Sequence, residues 1–240
     1  MTLGYRGTHY AGWATQPRGR TVQASVEAAV QAAVGHPVHV TAAGRTDAGV
    51  HADGQVVSFD TNSPMPVQGL QQVLPHHLPD DVWVDDLSEV ASDFDARRSA
   101  RRRWYRYAIW RHGVPSSGWR GRALMVHDAL DVPAMREASR ALIGCHDFGS
   151  LVSSPSVTGS TTRTVFAADW LEVSPTLLTF EVCADAFLKQ MVRTIVGSLL
   201  WVGVGRWSPT DFVRALAAVD RRAAGPNAPA VGLTLHRIEY

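Results

Sequence analysis

Cysteine is scarce in this chain. Two are present, Cys145 and Cys183, and neither stands in a C-x-x-C pair, which excludes a metal knuckle and a dithiol redox motif. They read as two reduced thiols rather than a disulfide framework. An excess of charge of one sign is also missing. Lys+Arg number 23 against Asp+Glu 22, a formal net charge of +1, so bulk charge points to no polyanionic partner and only local clustering can. No hydrophobic run is long enough for a bilayer: the most apolar stretch, "MVRTIVGSLLWVGVG", carries Arg193. "MTLGYRGTHYAGW" lacks the basic segment and apolar core of a signal peptide. No membrane association and a cytoplasmic location are therefore expected. The ten histidines show no metal-ligand spacing, and the G-x-G of Gly203 and Gly205 follows a helix rather than a strand, against a dinucleotide fingerprint.

What is present is the composition of an ordinary globular protein, 240 residues with 45% hydrophobic and 19% charged. "TLGYRGTHYAGW" reads as a strand running into a Gly-rich turn. "TVQASVEAAVQAAVGH" has Val22, Val26, Ala29, Val30 and Ala33 at helical spacing, with Thr21 to cap it and Gly35 to end it. "VHVTAA" and "QVVSFD" are strand-like, "VQGLQQVLPHHL" is a weaker helix with His76 and His77 in a polar loop, and "DVWVDDLSEV" is a further strand. The order is β-α-β-β-α-β. Asp80, Asp81, Asp85 and Asp86 read as solvated faces.

The second half repeats the scheme loosely. "RRWYRYAIWR" is a strand. "DVPAMREASRALIG" is a helix with Asp131 as cap and Gly144 at its end. "TTRTVFAADWLEVS" and "LLTFEVCAD" are strands. "AFLKQMVRTIVGSLLWVGVG" is a long apolar helix to be buried between layers. "SPTDFVRALAAVDRRAAG" is a surface helix with Ser208 as cap and Arg221 and Arg222 near its end, and "GLTLHRIEY" is a closing strand. The fold class is α/β (α+β), in two modules, 1–100 and 101–240.

Three constellations can carry chemistry. In "AAGRTDAGVHADGQVVSF", Asp47-Ala48-Gly49 suits a tight turn, but Arg45, Asp47 and His51 are more than bending requires. A guanidinium beside Asp47 would keep it ionised, fit to act as nucleophile or base. Turn and active site both remain open on this loop alone. In "FDARRSARRRWYRYAIWR", seven arginines cluster, among them Arg101, Arg103 and Arg106. A charged edge strand is one reading. A nucleic-acid surface is the other: arginine suits phosphate, and Arg103, Tyr105 and Tyr107 share a strand face, interleaving cation and aromatic. Arg193, in a nearly all-apolar helix, must be paired with a carboxylate or a bound anion; an ordinary ion pair and a functional pairing with Asp47 both fit.

"GRTDAGVHA" resembles the signature of the tRNA pseudouridine synthase A family. "GWATQ", "TVQASVEAAV", "FDARRSARRRWYRYAI", "GCHDFGSL", "TTRTV", "AFLKQMVRTIVGSLLWVGVGR" and "APAVGLTLHRIEY" resemble family segments in the family's order, so the resemblance spans nearly the whole chain. It implies two RRM-like (ferredoxin-like) modules whose antiparallel sheets join around a central basic cleft, and a homodimer. It implies isomerisation of uridine to pseudouridine in the anticodon arm of tRNA, at positions thirty-eight, thirty-nine and forty, with no metal or organic cofactor. Asp47 would be the catalytic aspartate. Arg45 would help extrude the target base, Tyr105 would pack on the uracil, and Arg193 would pair with the aspartate. From the reading of the loop itself, His51 is expected at the substrate as well. Arg101, Arg103 and Arg106 would grip RNA. The chain starts closer to "GYRGTHYAGW" than family members usually do, so either a clipped first strand or a misplaced start codon is expected. A non-catalytic tandem RRM-like RNA-binding protein is the alternative, although no stretch reads as the aromatic signature such modules carry. A small-molecule α/β enzyme would leave the arginine cluster unexplained.

Overall fold

A computed structural model of the chain describes residues 1–153 and 159–240. In chain order the elements are β1 (Thr2–Tyr5), α1 (Val22–Val34), β2 (Thr41–Ala42), β3 (His51–Ser58), α2 (Val67–His77), β4 (Val82–Asp86), β5 (Arg102–Trp110), β6 (Leu124–Met125), α3 (Val132–Ser139), β7 (Gly144–Asp147), β8 (Thr162–Glu172), β9 (Leu177–Ala184), α4 (Met191–Gly203), α5 (Pro209–Ala217) and β10 (Leu233–Glu239). They form two compact units, Met1–Arg101 with Thr234–Tyr240, and Arg102–Leu233.

In the first unit β1 lies between β3 and β4, antiparallel to both. It is short, four residues, yet interior: Leu3 faces Gln55 on one side and Val84 on the other. β2 pairs with the far end of β3 through Thr41↔Ser58 and Ala42↔Val57. The strand expected over "VHVTAA" is thus cut to two residues. β10 runs parallel to β3, with Thr234 opposite His51. That placement differs from the expected 101–240 module: the closing strand lies in the sheet of the first unit. Helices α1 and α2 pack side by side and bury Val22, Val26, Val30, Leu70 and Leu74. Each such side chain contributes about 1.5–3 kcal/mol on burial. Gly35 ends α1 in the left-handed conformation, but the Thr21 hydroxyl makes no cap bond. His76 and His77 form the last turn of α2 rather than a loop.

In the second unit the antiparallel order is β5-β9-β8-β7, with β6 parallel to the end of β5. The register sets Arg103 opposite Ala184, Tyr105 opposite Val182 and Tyr107 opposite Phe180. Trp170 and Phe180 meet at 4.9 Å between ring centroids. β7 covers only the start of β8; beyond it, Arg136 of α3 donates from Nε to the Trp170 carbonyl at 2.9 Å and blunts the open edge. Asp131 caps α3 through the Ala134 amide at 2.9 Å, and Ser208 and Asp211 cap α5 reciprocally. α3 stops at Ser139, short of Gly144, and Arg221 and Arg222 lie in a separate 3-10 turn beyond α5. α4 is buried as its composition demands, including Met191, Ile195, Val196, Leu199 and Val202. It starts at Met191, five residues later than "AFLKQM" suggests, because Gln190 turns left-handed at φ 61°.

Candidate active site

Asp47 stands in a loop that its own sequence cannot hold still. Its carbonyl accepts the Val50 amide at 3.1 Å, closing a turn in which Gly49 takes φ 78°. Only glycine adopts that angle without cost. A second glycine-rich segment, residues 7–13, grips the loop. The Trp13 amide donates to the Thr46 carbonyl at 3.0 Å and the Gly49 amide donates to the Tyr10 carbonyl at 3.3 Å. The Gly7 amide donates to His51 Nδ1 at 3.1 Å. The approach is so close that a Cβ on Gly12 would lie 2.9 Å from the Thr46 carbonyl oxygen, and one on Gly7 1.9 Å from that of Val50. Below the loop, the Tyr5 hydroxyl and Thr46 Oγ1 share a hydrogen bond at 2.8 Å. Gln55 Nε2 donates to the Gly44 carbonyl at 2.6 Å. Burial pushes the Tyr5 phenol far above its ordinary pKa, although bonds to Thr46 and Gln55 oppose the shift; it is a neutral prop. Thr46 is buried, Asp47 half-buried and Arg45 exposed.

Two expectations change here. His51 is 1% exposed, and its Nδ1 accepts a backbone hydrogen, which requires the unprotonated nitrogen there. It latches the loop instead of meeting a ligand at the surface. Arg45 carries no ion pair among the described residues, so the guanidinium expected beside Asp47 is not its partner.

Segment 7–13 has an anchor that the sequence hid. Asp81, read as a solvated acid, accepts the Tyr10 hydroxyl at 2.7 Å and both terminal nitrogens of Arg20 at 2.8 and 2.9 Å. The Arg20 guanidinium also lies 4.3 Å from the centre of the Tyr10 ring. Burial pushes the Asp81 carboxyl up, but the Arg20 and Tyr10 bonds outweigh it and hold it below the usual carboxylate range.

In the second unit, β5 presents Tyr107 and Tyr105 on one face, as the two-residue period requires. Tyr107 is fully buried and Tyr105 is 9% exposed. The Tyr105 ring meets Phe187 edge to face, with centroids 5.1 Å apart, a contact that fixes its plane. The Tyr107 hydroxyl donates to the Pro229 carbonyl at 2.8 Å. Burial raises the Tyr107 phenol well above its ordinary value, while Arg193 acts in the other direction, so that guanidinium lies within electrostatic reach. Arg193 is the third residue of α4, half-buried, and its Nε donates to the Ala228 carbonyl at 2.8 Å.

The arginine cluster is less uniform than its sequence. Arg106 is ion-paired with its cross-strand neighbour Glu181, Nη2 to carboxylate at 2.7 Å, and Arg111 with Glu172 at 3.0 Å. Arg103 donates to the Asp185 carbonyl. Arg101 and Arg102 are exposed, Arg102 with its guanidinium 4.7 Å from the centre of the Phe166 ring. Arg106, expected to grip phosphate, is instead committed within the sheet. No group of three or more His, Cys, Asp or Glu side chains among the described residues could hold a metal ion, and no helix among them is long and apolar enough to cross a membrane.

The family described as "tRNA pseudouridine synthase" matches residues 2–97 and 138–240. A protein of Moorella thermoacetica named tRNA pseudouridine synthase A is 44% identical over 242 residues, covering 100% of this chain and 98% of that relative. Relatives with the same name from Exiguobacterium sp. and Chloroflexus aurantiacus are 40% and 42% identical, each over 100% of this chain and over 96% and 87% of their own lengths.

Proposed function

The chain belongs to the tRNA pseudouridine synthase family, and we propose from that premise that it isomerises uridine to pseudouridine in tRNA, at positions thirty-eight, thirty-nine and forty of the anticodon arm, with Asp47 as the catalytic carboxylate. One observation carries the assignment to Asp47: the turn that bears it is held by three hydrogen bonds from residues 7–13, through Trp13, Tyr10 and Gly7, while its side chain remains half-exposed. A carboxylate fixed before the substrate arrives needs no reorganisation during the reaction.

The reaction breaks the C1′–N1 bond, turns the uracil and joins C1′ to C5. The C5 proton leaves and N1 gains one, so the product is an isomer. A nucleophile or base is required at the sugar or the base, and Asp47 supplies it; by the family resemblance Arg193 serves the same reaction as a cation. The target nucleotide has to leave the stack. Arg45, exposed two residues from Asp47, assists the extrusion. Tyr105, braced by Phe187, packs on the detached uracil. Arg101, with Arg103 beside it, supplies contacts to the tRNA backbone. The enzyme works in the cytoplasm as a homodimer of tandem RRM-like modules; sedimentation of the purified protein tests the dimer.

A non-catalytic RNA-binding role is disfavoured. Binding alone gives no reason to brace a half-exposed carboxylate where RNA would lie, since it repels phosphate. The test is Asp47→Asn, assayed for tritium release from tRNA labelled at uracil C5 and for tRNA binding on one preparation. Release should be lost with affinity changed no more than a few-fold. Turnover like that of the parent would refute the assignment.

A further inference from the structure

The start of α4 is strained. Gln190, its N-cap, holds φ 61° and ψ 8° and makes no side-chain cap bond to the helix. A left-handed backbone disfavours any residue with a Cβ, so this conformation needs support from outside the helix. Arg193 follows three residues later.

The support comes from the segment Gly225–Pro229. Asn227 donates from Nδ2 to Gln190 Oε1 and accepts on Oδ1 from the Thr194 hydroxyl at 2.6 Å. That hydroxyl has one proton and also lies 3.2 Å from the Gln190 carbonyl; the shorter contact takes it. Next along the segment, the Ala228 amide donates to the Arg193 carbonyl at 2.9 Å, and the Ala228 carbonyl accepts Arg193 Nε at 2.8 Å. At the other end the Gly225 amide donates to Ser198 Oγ at 2.9 Å. A Cβ on Gly197 would sit 1.8 Å from the Pro226 carbonyl oxygen, so the segment can lie this close only against glycine. Positions 190, 193, 194, 197 and 198 form one face of a helix; the segment is a strap laid along it. Its far end is tied to β5, where the Pro229 carbonyl accepts the Tyr107 hydroxyl at 2.8 Å.

We propose that Asn227 is a positioning residue for the reaction: by holding Gln190 and Thr194 it sets the start of α4 against the strap, and so the orientation that the Ala228 carbonyl imposes on the Arg193 guanidinium. A bond through Nε sets the plane of that group. Asparagine suits the position because one planar amide both donates to Gln190 and accepts from Thr194; aspartate lacks the donor and alanine lacks both. This rests on the reading of Arg193 as part of the active site.

The experiment compares Asn227→Ala, Asn227→Asp, Arg193→Ala, and Asn227→Ala combined with Gln190→Gly. Single-turnover tritium release, tRNA affinity and melting temperature are measured for each. Both Asn227 variants should lose turnover by roughly tenfold to a hundredfold, the range for small displacements of a site group, with tRNA affinity unchanged. The added glycine adopts the left-handed conformation freely and should restore most of the turnover in Asn227→Ala. If the Asn227 variants melt earlier but turn over normally per folded molecule, the residue is merely structural and the proposal fails. A loss that Gln190→Gly does not recover removes Gln190 as the link and also overturns it. Asn227→Asp keeps the size and decides the matter if the alanine variant does not fold. Arg193→Ala separates the two levels. Normal turnover there removes Arg193 from the site, and the proposal falls with that reading; a dead Arg193→Ala beside a fully active Asn227→Ala removes the positioning role alone.

Discussion

The Trp13 amide donates to the Thr46 carbonyl at 3.0 Å, one residue before Asp47. The contact joins two glycine-rich segments that lie more than thirty residues apart in sequence, and Gly12, with φ 113°, makes it possible. Gly12→Ala should therefore damage the site without touching the substrate. It adds a Cβ 2.9 Å from the Thr46 carbonyl oxygen and a side chain where the backbone disfavours one. Tritium release should fall by about tenfold or more, while circular dichroism remains that of a folded protein. An alanine variant with full activity would show that the loop does not depend on segment 7–13.

The brace at Asp81 predicts a pH dependence. Its carboxyl is held below the ordinary value by Arg20 and Tyr10 against the effect of burial. The stabilisation is therefore complete above the unfolded pKa of about 3.9 and is lost as pH falls through the lower folded value. Asp81→Asn should lower the melting temperature at neutral pH, and the gap between variant and parent should close on acidification below about pH 4. A gap that is constant with pH would mean that the charge of Asp81 contributes nothing.

The two tyrosines of β5 should separate by assay. Tyr105→Ala removes a ring proposed to pack on uracil and should cost about 1–3 kcal/mol of stacking, felt in turnover. Tyr105→Phe keeps the ring and should stay close to the parent unless the hydroxyl takes the C5 proton, in which case a rearranged, still tritiated product accumulates. Tyr107→Phe should turn over like the parent, but because its hydroxyl holds the Pro229 carbonyl it should lose about 1 kcal/mol of stability, the usual worth of one hydrogen bond. Normal turnover in Tyr105→Ala with a folded but dead Tyr107→Ala would reverse the two roles.

Salt dependence of tRNA binding tests which arginines meet phosphate. Arg101 is exposed, and Arg101→Ala should lower the slope of log K against log salt by about one. Arg106→Ala should leave the slope alone and lower the melting temperature, because it strands Glu181 without its cation. The opposite pattern would return Arg106 to the RNA surface.

The helices, most strands and the Asp47 turn were legible in the sequence because their causes are local. The 3.6-residue spacing of Val22, Val26 and Val30, the Ser208–Asp211 box, and a glycine two residues after Asp47 act within a few residues of themselves. The "GRTDAGVHA" loop could be singled out for the same reason: Arg45, Asp47 and His51 lie within seven positions of one another. Asp81 could not, since an acid in an Asp-rich stretch looks the same whether it faces water or Arg20, which lies 61 residues earlier.

The sequence by itself determined which segments form the helices and most of the strands, since these follow from backbone propensity and periodicity, and its resemblance to a family named side chains for the reaction. Tertiary structure alone decided the rest. It moved β10 into the first unit, turned His51 inward to Gly7, paired Arg106 with Glu181, and laid the Gly225–Pro229 strap along α4. Each of these depends on a partner distant in sequence, and which partner is met depends on how whole faces pack. No local spacing encodes that choice.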